Sequence, residues 1–199
     1  MRFKFYCWFF DKALSKNFCN QVIKRGKKFK PKKGTLASKQ KNLKIRDSNV
    51  VFLTEKWIYR EIQPYMHLAN KNAGWNLQVD YSEACQFTEY TKGQHYEWHY
   101  DMFKDSYNNP KNENLHGKTR KLSMVVSLSD EKDYEGGDLE FDSGENSPSN
   151  KENKFEICRA MRNKGSIIVF PSFIYHRVTP VTKGKRHSLV TWNIGHPYR

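Results

Sequence analysis

The sequence of 199 residues has no apolar run near the roughly 20 residues that a membrane-spanning helix needs. Nothing at its start fits an export signal: the apolar patch Phe5 to Phe10 is short, Asp11 follows it, and no small-residue cleavage site is present. That patch is expected to form a first strand, and the protein to be cytoplasmic with no membrane partner. The four cysteines, Cys7, Cys19, Cys85 and Cys158, form no C-x-x-C pair, which argues against a disulfide framework or a cysteine zinc site. Reduced, buried thiols are expected instead. Alanine is scarce while lysine and asparagine abound, the texture of an AT-rich genome, viral or low-GC microbial. Acidic residues are missing between Asp11 and Asp47, a stretch that holds 13 of the 35 lysines and arginines. Outside it, 22 basic residues face 21 acidic ones, so the formal charge of +14 is local.

The basic run centres on Lys24 to Lys44. It could attract nucleic acid or an acidic protein, or could simply be a solvated loop. Only Phe29 interleaves aromatically with it, so no base-stacking platform is indicated. The 37% hydrophobic and 15% aromatic content is too rich in Trp, Tyr and Phe for a disordered chain. The length suits one domain with a real core.

Two helices are expected first. Ser15 can cap one that runs to Lys27, with Phe18, Cys19, Val22 and Ile23 on one face. Thr54 can cap a second that carries Trp57, Ile58, Ile62, Tyr65 and Met66, with a break or kink at Pro64. Asn49 to Leu53 reads as a short strand. From Trp75 the texture turns to strands: Trp75 to Val79, Glu83 to Tyr90, Lys121 to Leu128, Asp138 to Phe141, Ser166 to Phe170 and Ser188 to Ile194. Turns are expected at Thr91-Lys92-Gly93 and Lys183-Gly184-Lys185. The polar stretches Lys104 to Lys118 and Asp142 to Lys154 read as loops. Helices followed by many strands imply a mainly β fold with flanking helices, a buttressed sandwich or barrel.

His99-Tyr100-Asp101 is the sharpest local signal. On an extended chain, residues two apart share a face, so one imidazole and one carboxylate can aim at one point. H-x-D alone is weak and needs a distant third ligand. His176 supplies one, placed after a buried-looking strand that ends at Pro171 and 75 residues beyond Asp101. Two histidines and a carboxylate on one face leave other positions open, the arrangement of non-haem Fe(II) oxygenases. His95 and His187 are strand-edge alternatives, while His67, His116 and His196 fit less well. Arg186 follows ten residues after His176, and a hairpin through Lys183-Gly184 would bring it onto a neighbouring strand. Its guanidinium fork could bind the free carboxylate of 2-oxoglutarate.

Three blocks carry a resemblance. Tyr90-Thr-Lys-Gly-Gln-His-Tyr-Glu-Trp-His-Tyr-Asp101 resembles the metal-binding segment of prolyl 4-hydroxylase-type 2-oxoglutarate oxygenases. Arg120 to Asp130 with Tyr134-Glu-Gly-Gly-Asp-Leu-Glu-Phe141, and Phe170 to Arg186, resemble the bacterial PKHD-type branch more closely. The resemblance implies a double-stranded β-helix, a jelly-roll of about residues 75 to 195, braced by a helical part of about 1 to 74 in a single domain. It implies Fe(II), 2-oxoglutarate and O2, with ascorbate as reductant. His99, Asp101 and His176 fall on the iron ligands, and Arg186 on the residue that pairs with 2-oxoglutarate. Tyr90 falls on a tyrosine that hydrogen-bonds the co-substrate, and Ser188 can face the same pocket. Tyr96, Tyr134 and Trp192 are expected in the substrate pocket. Gly136-Gly137 is expected at a close approach or bulge.

The implied activity is hydroxylation of a prolyl residue in a peptide or protein. Hydroxylation of a free amino acid or other small molecule is the alternative. Nucleic-acid demethylation ranks below both, and nucleic acid is the weaker partner expectation. A silent binding module docking through residues 24–44, or a zinc hydrolase using H-x-D and a distant histidine, would have no use for Arg186. The sequence does not fix the oligomeric state.

Overall fold

The computed structural model describes residues 5–35, 42–142 and 155–197. Two antiparallel sheets face each other. Among the described residues, the large one runs in the order Trp8–Phe10, Ile167–Pro171, Thr119–Ser127, Arg186–Gly195, Cys85–Tyr90, Asn49–Leu53, Lys32–Lys33. Tyr81–Ser82 also pairs with Arg186–Gly195. The smaller sheet runs Phe155–Ile157, Leu139–Asp142, His176–Val178, His95–His99, Arg46–Asp47. A separate ribbon pairs Tyr134–Gly136 with Val181–Gly184.

Side-chain alternation sorts the core into two layers. Leu122, Met124, Val126 and Leu128 point to the helix side of the large sheet, as do Ile167 and Val169. Val125, Ile168 and Phe170 point the other way and meet Leu139, Phe141 and Val178 of the small sheet. A central strand covered on both faces reads as a nearly continuous apolar run, which is why Lys121 to Leu128 is recognisable as one.

Helix α1 (Lys16–Gly26) begins where Ser15 accepts a hydrogen bond from the Phe18 N–H at 3.1 Å. It buries Phe18, Cys19 and Val22 against the sheet. Helix α2 (Lys56–Asn72) buries Ile58, Ile62, Met66 and Ala69, spaced for one helical face. Its N-cap is Glu55, not Thr54, and no side chain caps it. Nor does the helix stop at Pro64. Arg60, whose carbonyl loses its partner there, is exposed together with Pro64, so water can satisfy it. Among the described residues, no helix is long and apolar enough to cross a membrane.

The strand expected at Trp75 to Val79 is absent. Trp75 is a core residue that donates its indole N–H to Phe5 O at 2.7 Å, and Asn76 is left-handed at φ 49. The Asn70 side chain grips both Leu77 N and Leu77 O, which holds the segment against the end of α2. The basic run is not wholly loop, since Lys32–Lys33 and Arg46–Asp47 join sheet edges. Residues 36–41 of that run, and 143–154 of the polar stretch after Asp142, lie outside the described residues.

Candidate metal centre and co-substrate pocket

The strand His95–His99 runs antiparallel to His176–Val178, with His99 directly opposite His176. That register brings the two rings to a centroid distance of 4.2 Å. Asp101 follows just past the strand end. Its backbone N–H and that of Met102 both donate to Ser172 O at 2.9 Å, which fixes the turn. One carboxylate oxygen then lies 3.8 Å from His99 Nε2 and the other 3.7 Å from His176 Nε2. All three ligand atoms lie within 4.8 Å of one another.

The tautomers suit a metal. His99 Nδ1 is 2.7 Å from Glu97 O, and His176 Nδ1 is 2.9 Å from Ile174 O. A carbonyl only accepts, so each Nδ1 donates a proton to it, and each Nε2 is the ring atom turned toward Asp101. Burial, aided by His176, holds His99 down to about 3, so it is neutral at ordinary pH. Burial alone would raise the Asp101 carboxyl. The neighbouring His176, His99 and Arg120 outweigh it and hold that group down to about 2. Two imidazoles that turn Nε2 toward one carboxylate are the donor set that a divalent iron would take.

These ligands open into a cavity of about 230 Å³ between the sheets, whose wall includes Tyr90, Tyr96, Arg186, Ser188 and Trp192. Arg186 does not arrive by a hairpin onto a strand beside His176. The chain instead crosses through Val181–Gly184, and Arg186 opens a strand of the facing sheet. The crossing depends on Gly184, at φ 72, where a Cβ would lie 2.1 Å from Asp133 O. Gly137, at φ 62, clears the space beside Arg186: a Cβ there would come within 3.0 Å of its Cδ. Arg186 is buried, and its one hydrogen bond among the described residues goes to Ser188 Oγ at 3.3 Å. No described carboxylate pairs with it.

Tyr90 sits opposite Arg186 across the strands, with the guanidinium 5.4 Å from its ring centroid. Burial raises its phenol, which keeps the hydroxyl a donor. Tyr96 stacks on His99 at 3.5 Å between centroids. Trp192 is in the wall, its buried Nε1 turned toward Asp101 without good hydrogen-bond geometry to any described group. Tyr134 does not line this cavity. Its ring lies against Gly137 and under Arg162, because the ribbon strand that carries it runs outside the pocket. The alternative histidines are engaged elsewhere. His95 bonds Gly93 O and Lys44 O, while His187 alternates to the far face and meets Glu89 and Ser129.

Sequence reasoning missed two arginines in the wall. Arg120 donates two hydrogen bonds to the Glu83 carboxylate, from Nε and Nη2, each at 2.7 Å, and lies between the rings of Phe103 and Trp192. It is the second residue of the buried strand Thr119–Ser127, the only charged signal there besides Lys121. Arg46, buried at the end of the basic run, bonds Thr35 O, Ser48 Oγ and Gln86 Oε1 and stacks on Tyr96. Among so many basic neighbours, no local pattern singles it out.

Residues 85–193 match the family model described as the 2OG-Fe(II) oxygenase superfamily. The chain is 39% identical over 71 residues to a PKHD-type hydroxylase of Alteromonas mediterranea, covering 36% of this chain and 27% of that protein. It is 32% identical over 108 residues to a PKHD-type hydroxylase of Pseudoalteromonas atlantica, covering 54% of this chain and 41% of that one. The chain thus spans less than half the length of these curated relatives. Among solved structures, a Pseudomonas putida prolyl-4-hydroxylase superposes with a TM-score of 0.70 at 17% identity, covering 96% of this chain and 93% of that one. The viral collagen prolyl hydroxylase of Paramecium bursaria Chlorella virus-1 gives 0.66 at 19% identity, covering 96% and 97%. The two facing sheets are the double-stranded β-helix that these neighbours share.

Proposed function

Because the chain belongs to the 2OG-Fe(II) oxygenase superfamily, we propose that it is an Fe(II)- and 2-oxoglutarate-dependent hydroxylase, a dioxygenase acting on a prolyl residue of a peptide or protein. His99, Asp101 and His176 hold the iron, and Arg186 holds the far carboxylate of 2-oxoglutarate. Residues 1–199 act as one catalytic domain, the helical part bracing the jelly-roll. The observation that carries the reading is the buried Arg186 guanidinium, which pairs with no carboxylate among the described residues and lines the cavity that also holds His99, Asp101 and His176. A buried, unpaired cation is costly, and a dicarboxylate co-substrate would supply the missing partner.

When bound, iron with 2-oxoglutarate and O2 supplies the oxidising power for C–H hydroxylation, releasing succinate and carbon dioxide, with ascorbate as the reductant that keeps the iron ferrous. The chain's own part is positioning. The backbone carbonyls of Glu97 and Ile174 fix both imidazole tautomers. Ser188 Oγ accepts from Arg186 Nη1 and limits its swing, and the Tyr90 hydroxyl supplies a second donor for the same carboxylate. Val125, Leu139, Val178 and Val190 line the rest and exclude water.

Support for a peptidyl substrate comes from the neighbours' names, since one solved relative from Trichoplax adhaerens is a prolyl hydroxylase held with a peptide fragment. The test is mass spectrometry of proline-containing peptides incubated with the protein, Fe(II), 2-oxoglutarate and ascorbate in air. One added oxygen on proline, matched by succinate, is the expected result. Succinate formed with free proline or another small molecule, and never with a peptide, would move the substrate to the small-molecule class.

A further inference from the structure

A second cavity, of about 430 Å³, lies on the opposite face of the same strands and is lined by Lys27, Phe29, Pro31, Val51, Phe87 and Lys185, among others. Alternation places it there: Val51 and Phe87 face it, whereas their neighbours Phe52 and Gln86 face the metal cavity. Pro31, Val51 and Phe87 make one part of its floor apolar, Asn49 and Glu89 make another part polar, and its rim is cationic. Lys24, Lys27, Lys28, Lys30, Lys32 and Lys185 are exposed and make no ion pair among the described residues. The carboxylates nearby are already engaged. Glu55 pairs with Arg25 and Asp47 with Lys33, while Glu89, part of the cavity wall, accepts a hydrogen bond from His187 Nε2.

We propose that this groove is a docking site for an acidic peptide segment with an apolar side chain, separate from the catalytic cavity. The apolar anchor enters between Phe29, Pro31, Val51 and Phe87, and the flanking carboxylates meet the lysine rim. Charge complementarity selects the sign of the partner, and the apolar floor selects its kind. A sugar-phosphate backbone needs cations but no apolar socket. Base stacking needs free aromatic faces, and the one aromatic of the run, Phe29, has Arg25 stacked on it at 4.4 Å. The proposal assumes nothing about chemistry on the other face, so each can fail without the other.

The test is fluorescence anisotropy at low and high salt with a fluorescein-labelled peptide of Asp and Glu bearing one central Leu. The same peptide with Ser in place of Leu, and a single-stranded oligonucleotide of equal charge, are the comparison probes. The Leu peptide is expected to bind about tenfold more tightly than the Ser peptide and more tightly than the oligonucleotide, and to weaken with salt. Combined Lys27→Glu and Lys185→Glu should weaken it about tenfold or more, with an unchanged melting curve and unchanged 2-oxoglutarate binding. Phe29→Ser, at an exposed position, should weaken the Leu peptide and not the Ser peptide, and serves if charge reversal disturbs folding. No binding by the Leu peptide, equal binding of both peptides, or tighter binding of the oligonucleotide would overturn the proposal.

Discussion

A single guanidinium divides the competing chemistries. Arg186 has no counter-charge among the described residues, so its removal should cost the protein little and the co-substrate much. Arg186→Ala is expected to raise the 2-oxoglutarate concentration for half-saturation by about 30-fold or more, the loss of a buried charge pair of at least ~2 kcal/mol. Iron affinity should hold, and Arg186→Lys should recover part of the loss. An anaerobic 2-oxoglutarate titration reads this; an unchanged midpoint would take Arg186 out of the account. The next residue works differently. His187 stacks on Phe87, and burial holds it below its ordinary value although Glu89 pulls the other way. The unfolded chain therefore takes up a proton that the native state refuses, and His187 costs stability as pH falls below about 6.5. Urea midpoints measured from about pH 7 down to 5 should fall less steeply for His187→Gln than for the parent chain. Identical slopes would contradict this.

At the scale of elements, the site depends on chain crossings that glycines permit. Gly137→Ala would strain a residue at φ 62 and press a Cβ toward Arg186. We expect weaker 2-oxoglutarate binding with iron binding retained, and a loss of about 1 kcal/mol or more of stability. Equal titration curves would show that Arg186 does not rely on this clearance. Helix α2 bears on stability alone. Ile62 is fully buried against the large sheet, so Ile62→Ala should cost about 2–5 kcal/mol in a urea melt. Its iron and 2-oxoglutarate affinities should stay unchanged below the melt. What was legible at this scale followed local rules. Ser15 at a cap, the α2 apolar face and the buried strands announce themselves by spacing. The Trp75 segment did not, because its shape comes from distant bonds to Phe5 and Asn70.

For the whole molecule, the sequence singles out His99, Asp101, His176 and Arg186, which the structure brings to one cavity, but not the route that joins them. H-x-D is a local pattern, and the third candidate ligand joins it only through the register that sets His99 opposite His176. Arg186 was expected on a neighbouring strand and stands on the facing sheet, a difference that no local pattern encodes. Tyr134 was drawn to the pocket by its place in a motif, and the ribbon carries it outside. Arg46 and Arg120 escaped notice because a wall residue is defined by the cavity it faces. The charge asymmetry was plain from composition, but the apolar groove under it appears only once α1 is laid across the sheet.

The most direct measurement needs no substrate. Fe(II) and then 2-oxoglutarate are added to the protein without oxygen, and the visible charge-transfer band of the iron chelate is followed in the parent chain, His176→Ala and Arg186→Ala. A band that vanishes in the first variant, and demands far more 2-oxoglutarate in the second, is the result this account predicts. No band in folded, iron-loaded parent protein would contradict it.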